Sequence, residues 1–277
     1  MYGILLVGLA GFFLEVSTSI GKYEVKKRVE SIYGMGILST FWTLIIFGLA
    51  IVWKQEFQFS LASLPTFSLR MIIEILQVYL MLKAIVIADR STNAFIRLTT
   101  IPLLLLVDLA IIGADLSLAQ IIGTLIILAS LCALMVNGGV KKKGIVFVAL
   151  SAVNAVSGIT LYKHNITYFN SVEAEQSLIL LGILLFLYIS ARRRGERPFR
   201  LFRKHICMIQ SATHGIGTAM ISFAYVFAPA SVITTAKRTV EVLWSIISGN
   251  LVFHEKHLSI KIVSGVMAVC GLVLLTL

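Results

Sequence analysis

Apolar residues fall along this chain in long blocks rather than in alternation. Ten blocks can be drawn, at 3–21, 33–53, 67–88, 92–113, 117–137, 144–162, 173–190, 205–228, 230–251 and 259–277. Each is close to the ~20 residues a helix needs to cross a bilayer core. Period-2 alternation is absent, which argues against an outer-membrane barrel. A spanning segment must satisfy its own backbone hydrogen bonds, so each block predicts a helix. The expected fold is an all-α integral membrane protein with ten transmembrane helices. Connections at 89–91, 113–116 and 228–229 are short enough to make antiparallel neighbours. The longest polar stretch, ARRRGERPFRLFRK at 191–204, reads as a loop, and no soluble domain fits anywhere. The tenth span runs to the last residue, so no regulatory tail is expected. The first block has no basic stretch ahead of it and contains Glu15, unlike a cleavable signal.

The pattern repeats. With an offset of 140, Ala84, Val86, Ala88, Ser91 and Thr99 coincide with Ala224, Val226, Ala228, Ser231 and Thr239. Arg97 then falls on Lys237 and Glu74 on His214. An offset of 142 pairs Leu116, Ser117 and Gly123 with Leu258, Ser259 and Gly265. An offset of 141 pairs Gly3, Ile4, Val7, Leu9 and Lys22 with Gly144, Ile145, Val148, Leu150 and Lys163. The matches are collinear and divide the chain into two halves, 1–138 and 139–277, of five helices each. Five is odd, so the second half enters the membrane upside down. Such inverted-topology repeats occur in many secondary transporters, with sites near the midplane between the halves.

Composition sharpens the class. Of 277 residues, 58% are hydrophobic and 13% charged, against about half and about a quarter in soluble domains. The net charge of +11 sits in short loops, which suits orientation and anionic lipid headgroups rather than nucleic acid. Loops 22–28, 141–143 and 192–204, with Arg90 and Lys256, share one side; Lys54 and Lys163 lie on the other. That asymmetry makes the first side cytoplasmic and both termini external, in an inner or plasma membrane. Asn165-Ile-Thr167 is then an external sequon, read as chance because it hugs the membrane. Cys132, Cys207 and Cys270 show no metal or redox spacing and are expected as free, buried thiols. No phosphate loop, HExxH or GxSxG is present, so neither an enzyme nor a cofactor is expected. HEKH at 254–257 has the wrong spacing for a metal motif and reads as a solvated loop.

Ionised groups inside apolar spans are the informative residues, because each costs about 2.5–3.5 kcal/mol at a helix centre on insertion scales. They are Glu15, Glu74, Lys83, Arg97, Asp108, Lys237, Arg238 and Glu241, with His214 and Asn154 as polar neutrals. Four cations face four anions, so complete internal pairing is one reading. Lys237 and Glu241 are i,i+4 and Arg238 and Glu241 i,i+3, both pairing distances on a helix. Lys83 and Arg97, beside the turn at 89–91, can also snorkel. Neighbours 237 and 238 point about 100° apart, however, so one carboxylate cannot easily serve both. Arg97 approaches the midplane from one side and Lys237 from the other. An Arg and a Lys beside it, faced by another Arg, make a clamp for a carboxylate or phosphate.

Glu74 and His214 occupy equivalent positions and suit proton coupling; His214, in the small-residue run ATHGIG, also reads as a neutral packing residue. Gly215 and Gly217 permit close helix approach. Pro102 predicts a kink one turn past Arg97, a candidate gate, and Pro229 a helix start. Trp42, Trp53 and Trp244 read as interfacial anchors, while Tyr79 and Tyr225 are candidates to line a cavity.

The stretch SVITTAKRTVEVLWSIISGNLVFHEKHLSIKIVSGVMAVCGLVLL (231–275) resembles the end of an EamA-type member of the drug/metabolite transporter superfamily. It has a helix begun with polar residues, a short loop with Glu255, then a helix with Gly265. Residues 91–136 echo it, with Asp115 and Gly123 in those places. The resemblance implies ten helices in two inverted repeats and a central cavity walled by the third, fourth, eighth and ninth spans. The Lys237-Arg238 pair resembles that of the sugar-phosphate and nucleotide-sugar branch, where such a pair meets anionic substrate. Cytoplasmic termini are implied for many relatives, against the external termini implied by charge.

The expected function is secondary transport of a small anionic or zwitterionic metabolite by alternating access. Arg97, Lys237, Arg238, Tyr79 and Tyr225 would contact substrate, Glu74, His214, Glu241 and Glu15 would carry coupling charge or protons, and Pro102 would gate. The rivals are an exporter of amino acids or drug-like compounds with internally paired charges, a lipid flippase, and a non-transporting membrane subunit. Lys237→Gln or Arg238→Gln is expected to abolish uptake or exchange in a protein that still expresses, as measured by flux in vesicles.

Overall fold

The structure, a computed structural model, describes residues 2–112, 117–139, 142–228 and 230–274, without the side chains at 108, 110–112 and 231. Among the described residues it is all helix: α1 (Tyr2–Lys26), α2 (Ile32–Lys54), α3 (Leu64–Ile87), α4 (Arg90–Arg97), α5 (Thr100–Ile112), α6 (Leu118–Val136), α7 (Ile145–Tyr168), α8 (Val172–Arg193), α9 (His205–Phe227), α10 (Ala230–Leu251) and α11 (Leu258–Leu274). The side chain of Asp108, and Asp115, Lys141 and Pro229 entirely, lie outside the described residues.

Several helix starts follow from serine. Ser31 accepts from Gly34 N–H at 3.0 Å to begin α2, and Ser171 from Ala174 N–H at 3.2 Å to begin α8. Ser117 and Gln120 form a reciprocal capping box at α6. Glu173 and Glu175 in the first turn of α8, and Arg192 and Arg193 in its last, complement the helix dipole.

Five helices, α1, α2, α6, α7 and α8, are long and apolar enough to cross a membrane, so the chain is read as an integral membrane protein. The outward-facing residues agree: Leu5, Leu9, Leu125, Val153, Leu181 and Leu185 are all exposed, as lipid-facing residues should be. Of the charges predicted for the site, Glu15 lies on α1, one of those five, while Glu74, Arg97, Lys237, Arg238 and Glu241 lie on α3, α4 and α10, outside them.

The fourth apolar block is two helices, not one. Pro102 has no N–H to give the Leu98 carbonyl, and its ring crowds that carbonyl. The helix breaks at Leu98–Thr99, so the interruption lies directly after Arg97 instead of one turn beyond it. The turn is tightened by i,i+3 bonds, Leu98 N–H to Phe95 O and Ile101 N–H to Leu98 O, both at 3.0 Å. Thr99 and Thr100 hydroxyls donate to Ile96 O at 2.8 Å and Arg97 O at 2.7 Å.

Packing pairs helices from different halves of the chain. α1 lies on α9 and α10, α3 on α7, α2 on α8 and α9, α6 on α11, and α4 on α10 and α7. Close approach depends on two glycines of α9. A Cβ at Gly215 would lie 2.9 Å from the backbone of Trp42 and Thr43, and one at Gly217 would lie 2.9 Å from Ala10 O.

Three expectations need correction. The cysteines are free, but only Cys207 is buried; Cys132 and Cys270 face outward from the bundle. Arg90 and Lys22 are not solvated loop charges: they are 6% and 2% exposed, and Lys22 Nζ donates to Ala88 O. Segment 254–257 is not simply a solvated loop, because Glu255 turns inward, 8% exposed, between two residues of positive φ, His254 and His257. In the 27–31 turn Glu30 is also buried. Burial, only partly offset by the Gln210 amide and Lys204, pushes its pKa up to about 8.

Gly215→Ala should cost about 1–3 kcal/mol in detergent melting, because the obstructing atoms are backbone. Gly8→Ala, where nothing stands within 4 Å, should be neutral or slightly stabilising. For Glu30, the folded state holds a proton that the unfolded chain has released between pH 4.5 and about 8. Melting temperature should therefore fall as pH rises through that window, and Glu30→Gln should flatten the profile.

Candidate functional site

Two hollows lie between the halves of the chain and share Leu14, Glu74, Val78, Ile159, His214, Thr218 and Lys237 as walls. The inner one, about 280 Å³, is nearer the ends rich in Lys and Arg and includes Arg90, Asn93, Arg97, Arg238, Glu241 and Ser245. The outer one, about 240 Å³, includes Arg70, Tyr162, Gln176 and Tyr225. At about 30 Å³ per water, each holds roughly eight or nine. α3, α4, α9 and α10 contribute, as the resemblance implies, and α1 and α7 join them.

Local sequence sets the inward face. Asn93 and Arg97 are i,i+4 on α4, and Glu74 and Gln77 are i,i+3 on α3. Lys237, Glu241 and Ser245 are spaced by four on α10. Each set stacks along one side of its helix. Gly158 of α7 leaves room for Glu74: a Cβ there would stand 3.1 Å from Glu74 Oε1. Asn154 of α7 fastens the same pair of helices by donating to Ile73 O at 2.9 Å and Gln77 Oε1 at 3.0 Å.

Among the charges predicted for the site, the structure separates fixed from available. Arg238 is fixed: it is 1% exposed, with NH1 2.5 Å from Glu241 Oε2 and Nε donating to Thr100 Oγ1 at 3.1 Å. Glu241 is thereby committed, and its other oxygen is 3.9 Å from Lys237 Nζ. Lys237 keeps 22% of its side chain exposed, within the hollow. Arg97 is buried, and no described carboxylate is in ion-pair contact with it. NH1 meets Met81 Sδ at 4.0 Å, and Nε has no hydrogen-bond partner. Asn93 Oδ1 and His214 Nδ1 are likewise buried without partners in the wall of the inner hollow.

Glu74 is 23% exposed and only 3.8 Å from Arg70 Nε. Tyr225 is buried in the outer hollow, its hydroxyl 2.9 Å from that of Thr234. Tyr79 lines neither hollow; its ring lies 5.9 Å from Lys83 Nζ. Pro102 stands behind the site, at the break after Arg97.

Glu15 stands in the wall of the inner hollow as the ion-pair partner of Arg90. Its carboxylate receives Arg90 NH2 at 2.6 Å and Nε at 3.2 Å, with Ser19 at 3.1 Å and Ser248. Beside it, Glu255 caps α4, accepting from Arg90 N–H at 2.5 Å and the Ser91 hydroxyl at 2.5 Å while pairing with Lys261 at 2.9 Å. Burial alone would raise its pKa, but these bonds hold it below the usual carboxylate value. Together they tie α1 and α4 to α10 and α11 at the inner end.

A matching set closes the outer end. Arg70 NH1 lies 2.6 Å from Glu175 Oε1, over the Tyr162 ring at 4.4 Å. Glu175 also accepts from Asn165 at 2.8 Å and Asn170 at 2.6 Å. Lys54 reaches Glu173 at 2.6 Å. Asn165 is fully buried, which agrees with reading its sequon as chance.

Sequence reasoning missed Arg70, Asn93, Glu173 and Glu175. A signal existed: Arg70 and Asn93 stand four residues before Glu74 and Arg97. Compared with the models of known protein families and with curated proteins, the chain matches none.

Removing one partner of a buried pair strands the other charge, so Glu15→Gln or Glu175→Gln should cost about 3–5 kcal/mol in thermal unfolding. Lys54→Gln removes a cation that is 45% exposed but leaves the 3%-exposed Glu173 carboxylate without it, so it should cost about 1–3 kcal/mol.

Proposed function

We propose that this protein is a secondary transporter that moves a small anion through the hollow by alternating access. The observation that carries the reading is Arg97: a guanidinium inside a bundle of membrane helices, facing a cavity, with no carboxylate among the described residues in ion-pair contact. A charge in that setting needs an answering charge. Lys237 stands in the same wall, and Asn93 offers an acceptor for any ligand N–H or O–H. Arg and Lys together supply a fork and a mobile point charge for a carboxylate or phosphate.

Two features support an architecture of inverted five-helix repeats, as in the drug/metabolite transporter superfamily. The helix contacts are reciprocal when each span is exchanged for the one five later: α1 on α9 answers α3 on α7, and α2 on α9 answers α3 on α8. Lys22 donates to Ala88 O in one half, and Lys163 to Ala228 O at 3.4 Å in the other. These are the residue pairs aligned by sequence. The ties at the two ends join elements of different halves, so opening one end while the other stays tied gives alternating access. Glu74, the loosest carboxylate in the cavity, is the residue we assign to a coupling proton.

A larger apolar groove of about 920 Å³ lies between α1, α2 and α9, walled by Leu6, Leu49, Trp53 and Phe227 among others. It shares no lining residue with the charged hollows.

In proteoliposomes loaded for uptake or exchange of small anions, Arg97→Gln and Lys237→Gln should each lower flux at least tenfold while keeping a near-wild-type melting temperature. Unchanged flux in both refutes the clamp. Arg238→Gln is expected to lose stability as well, because it strands Glu241.

A further inference from the structure

The ionised groups of the cavity can be counted, and the count selects a ligand charge. Among the described residues, five cations face it: Arg70, Arg90, Arg97, Lys237 and Arg238. Three of these are held tightly by carboxylates: Arg90 by Glu15 at 2.6 Å, Arg70 by Glu175 at 2.6 Å and Arg238 by Glu241 at 2.5 Å. What remains is Arg97, Lys237 and Glu74. Lys237 and Glu74 have only long secondary contacts, at 3.9 and 3.8 Å, with carboxylate and guanidinium groups already committed elsewhere. Counting Glu74 in its carboxylate form, before it takes up the coupling proton, and the His214 imidazole as uncharged, the formal charges of the cavity leave one positive in excess.

Resting on the transporter reading above, we infer that the bound species is a small monoanion, its negative group on Arg97 and Lys237 and an uncharged polar remainder reaching towards Asn93 and Gln77. In a low-dielectric site a net charge is penalised. A monoanion brings the cavity to neutrality, a dianion overshoots to minus one, and a zwitterion leaves the excess untouched. Glu74 sets this preference. It binds no anion itself, but its carboxylate answers one of the two available cations. Each hollow, of about 280 and 240 Å³, suits a ligand the size of a three- to six-carbon acid by the same ~30 Å³ water measure.

The count predicts a ladder of variants. Glu74→Gln raises the excess to two and should turn the preference to dianions. Lys237→Gln reduces it to zero and should favour zwitterions over either anion. Thermal-shift titration of the purified full chain in detergent reads this out. The probes are lactate, gluconate and pyruvate as monoanions, succinate, malate and glycerol phosphate as dianions, and alanine and betaine as zwitterions. Ligand at ten times its Kd should raise the melting temperature by about 3–5 °C.

The inference is supported if monoanions rank first for the wild type and dianions for Glu74→Gln. It is overturned, with the anion transporter still standing, if dianions or zwitterions rank first for the wild type and the shift disappears in Arg97→Gln. It is overturned too if the ranking of Glu74→Gln matches that of the wild type. No shift by any probe in the wild type, or shifts unaffected by Arg97→Gln, overturn the anion site and this inference with it.

Discussion

An ionised side chain inside a membrane bundle must be answered by an opposite charge, by hydrogen bonds or by water, because bare burial costs several kcal/mol. That requirement arranges the interior of this protein. Arg90 is answered by Glu15, Arg70 by Glu175, Arg238 by Glu241 and Lys261 by Glu255. Lys22 and Lys163 are answered by backbone carbonyls that helix ends leave free. Among the described residues Arg97 departs from this pattern, with no carboxylate in ion-pair contact, and it lies in the wall of a cavity. On the transporter reading proposed above, that is the place left for a ligand.

Position along the bundle divides the pairs by what they do. At the outer end the ion pairs Arg70–Glu175 and Lys54–Glu173 cross between the halves of the chain, and at the inner end the crossing is made by hydrogen bonds, from Arg90 and Ser91 to Glu255 and from Ser248 to Glu15. The pairs near the middle surround the hollow. α4 connects the two levels: Arg90, in its first turn, belongs to the inner tie, and Arg97, its last residue, belongs to the cavity. Its ends are both interrupted, at Ala88–Asp89 and at Leu98–Thr99. Eight residues of rigid helix therefore link the ligand side chain to the inner closure over about 10 Å. Pro102 creates the break behind Arg97, and Thr100, at that break, accepts the Arg238 Nε hydrogen bond from the opposite half.

The residues read from sequence were mostly assembled, but their roles were redistributed. Arg97, Lys237, Arg238, Glu74, His214, Glu241 and Glu15 share one hollow, and Tyr225 lines the adjoining one. A hydropathy pattern marks a charge as out of place, and helical spacing shows which neighbours it can reach on its own helix. That was enough to foresee that Glu241 could not serve two adjacent cations equally: it lies 2.5 Å from Arg238 and 3.9 Å from Lys237. It could not show that Glu15 belongs to Arg90, 75 residues away, or that Glu175 belongs to Arg70. Tyr79 fails for a related reason: an aromatic in a membrane helix carries no mark of which face is inward.

The sequence by itself determined that the chain is helical and membrane-embedded, because blocks of about 20 apolar residues have no other way to satisfy their backbone in lipid. It also marked the charged residues that had to matter, since each one violates the apolar pattern at a known cost. Only the tertiary structure decided which of those charges are answered and which remain available. Pairings such as Arg70–Glu175 and Arg90–Glu15 depend on distances of 2.6 Å between side chains on different helices, and helix contacts across the chain set those distances, with Gly215, Gly217 and Gly158 letting the backbones and Glu74 come close. The difference between a sealed bundle and a hollow one lay in that geometry, where little more than an ångström separates the 2.6 Å Arg70–Glu175 pair from the 3.8 Å Arg70–Glu74 contact.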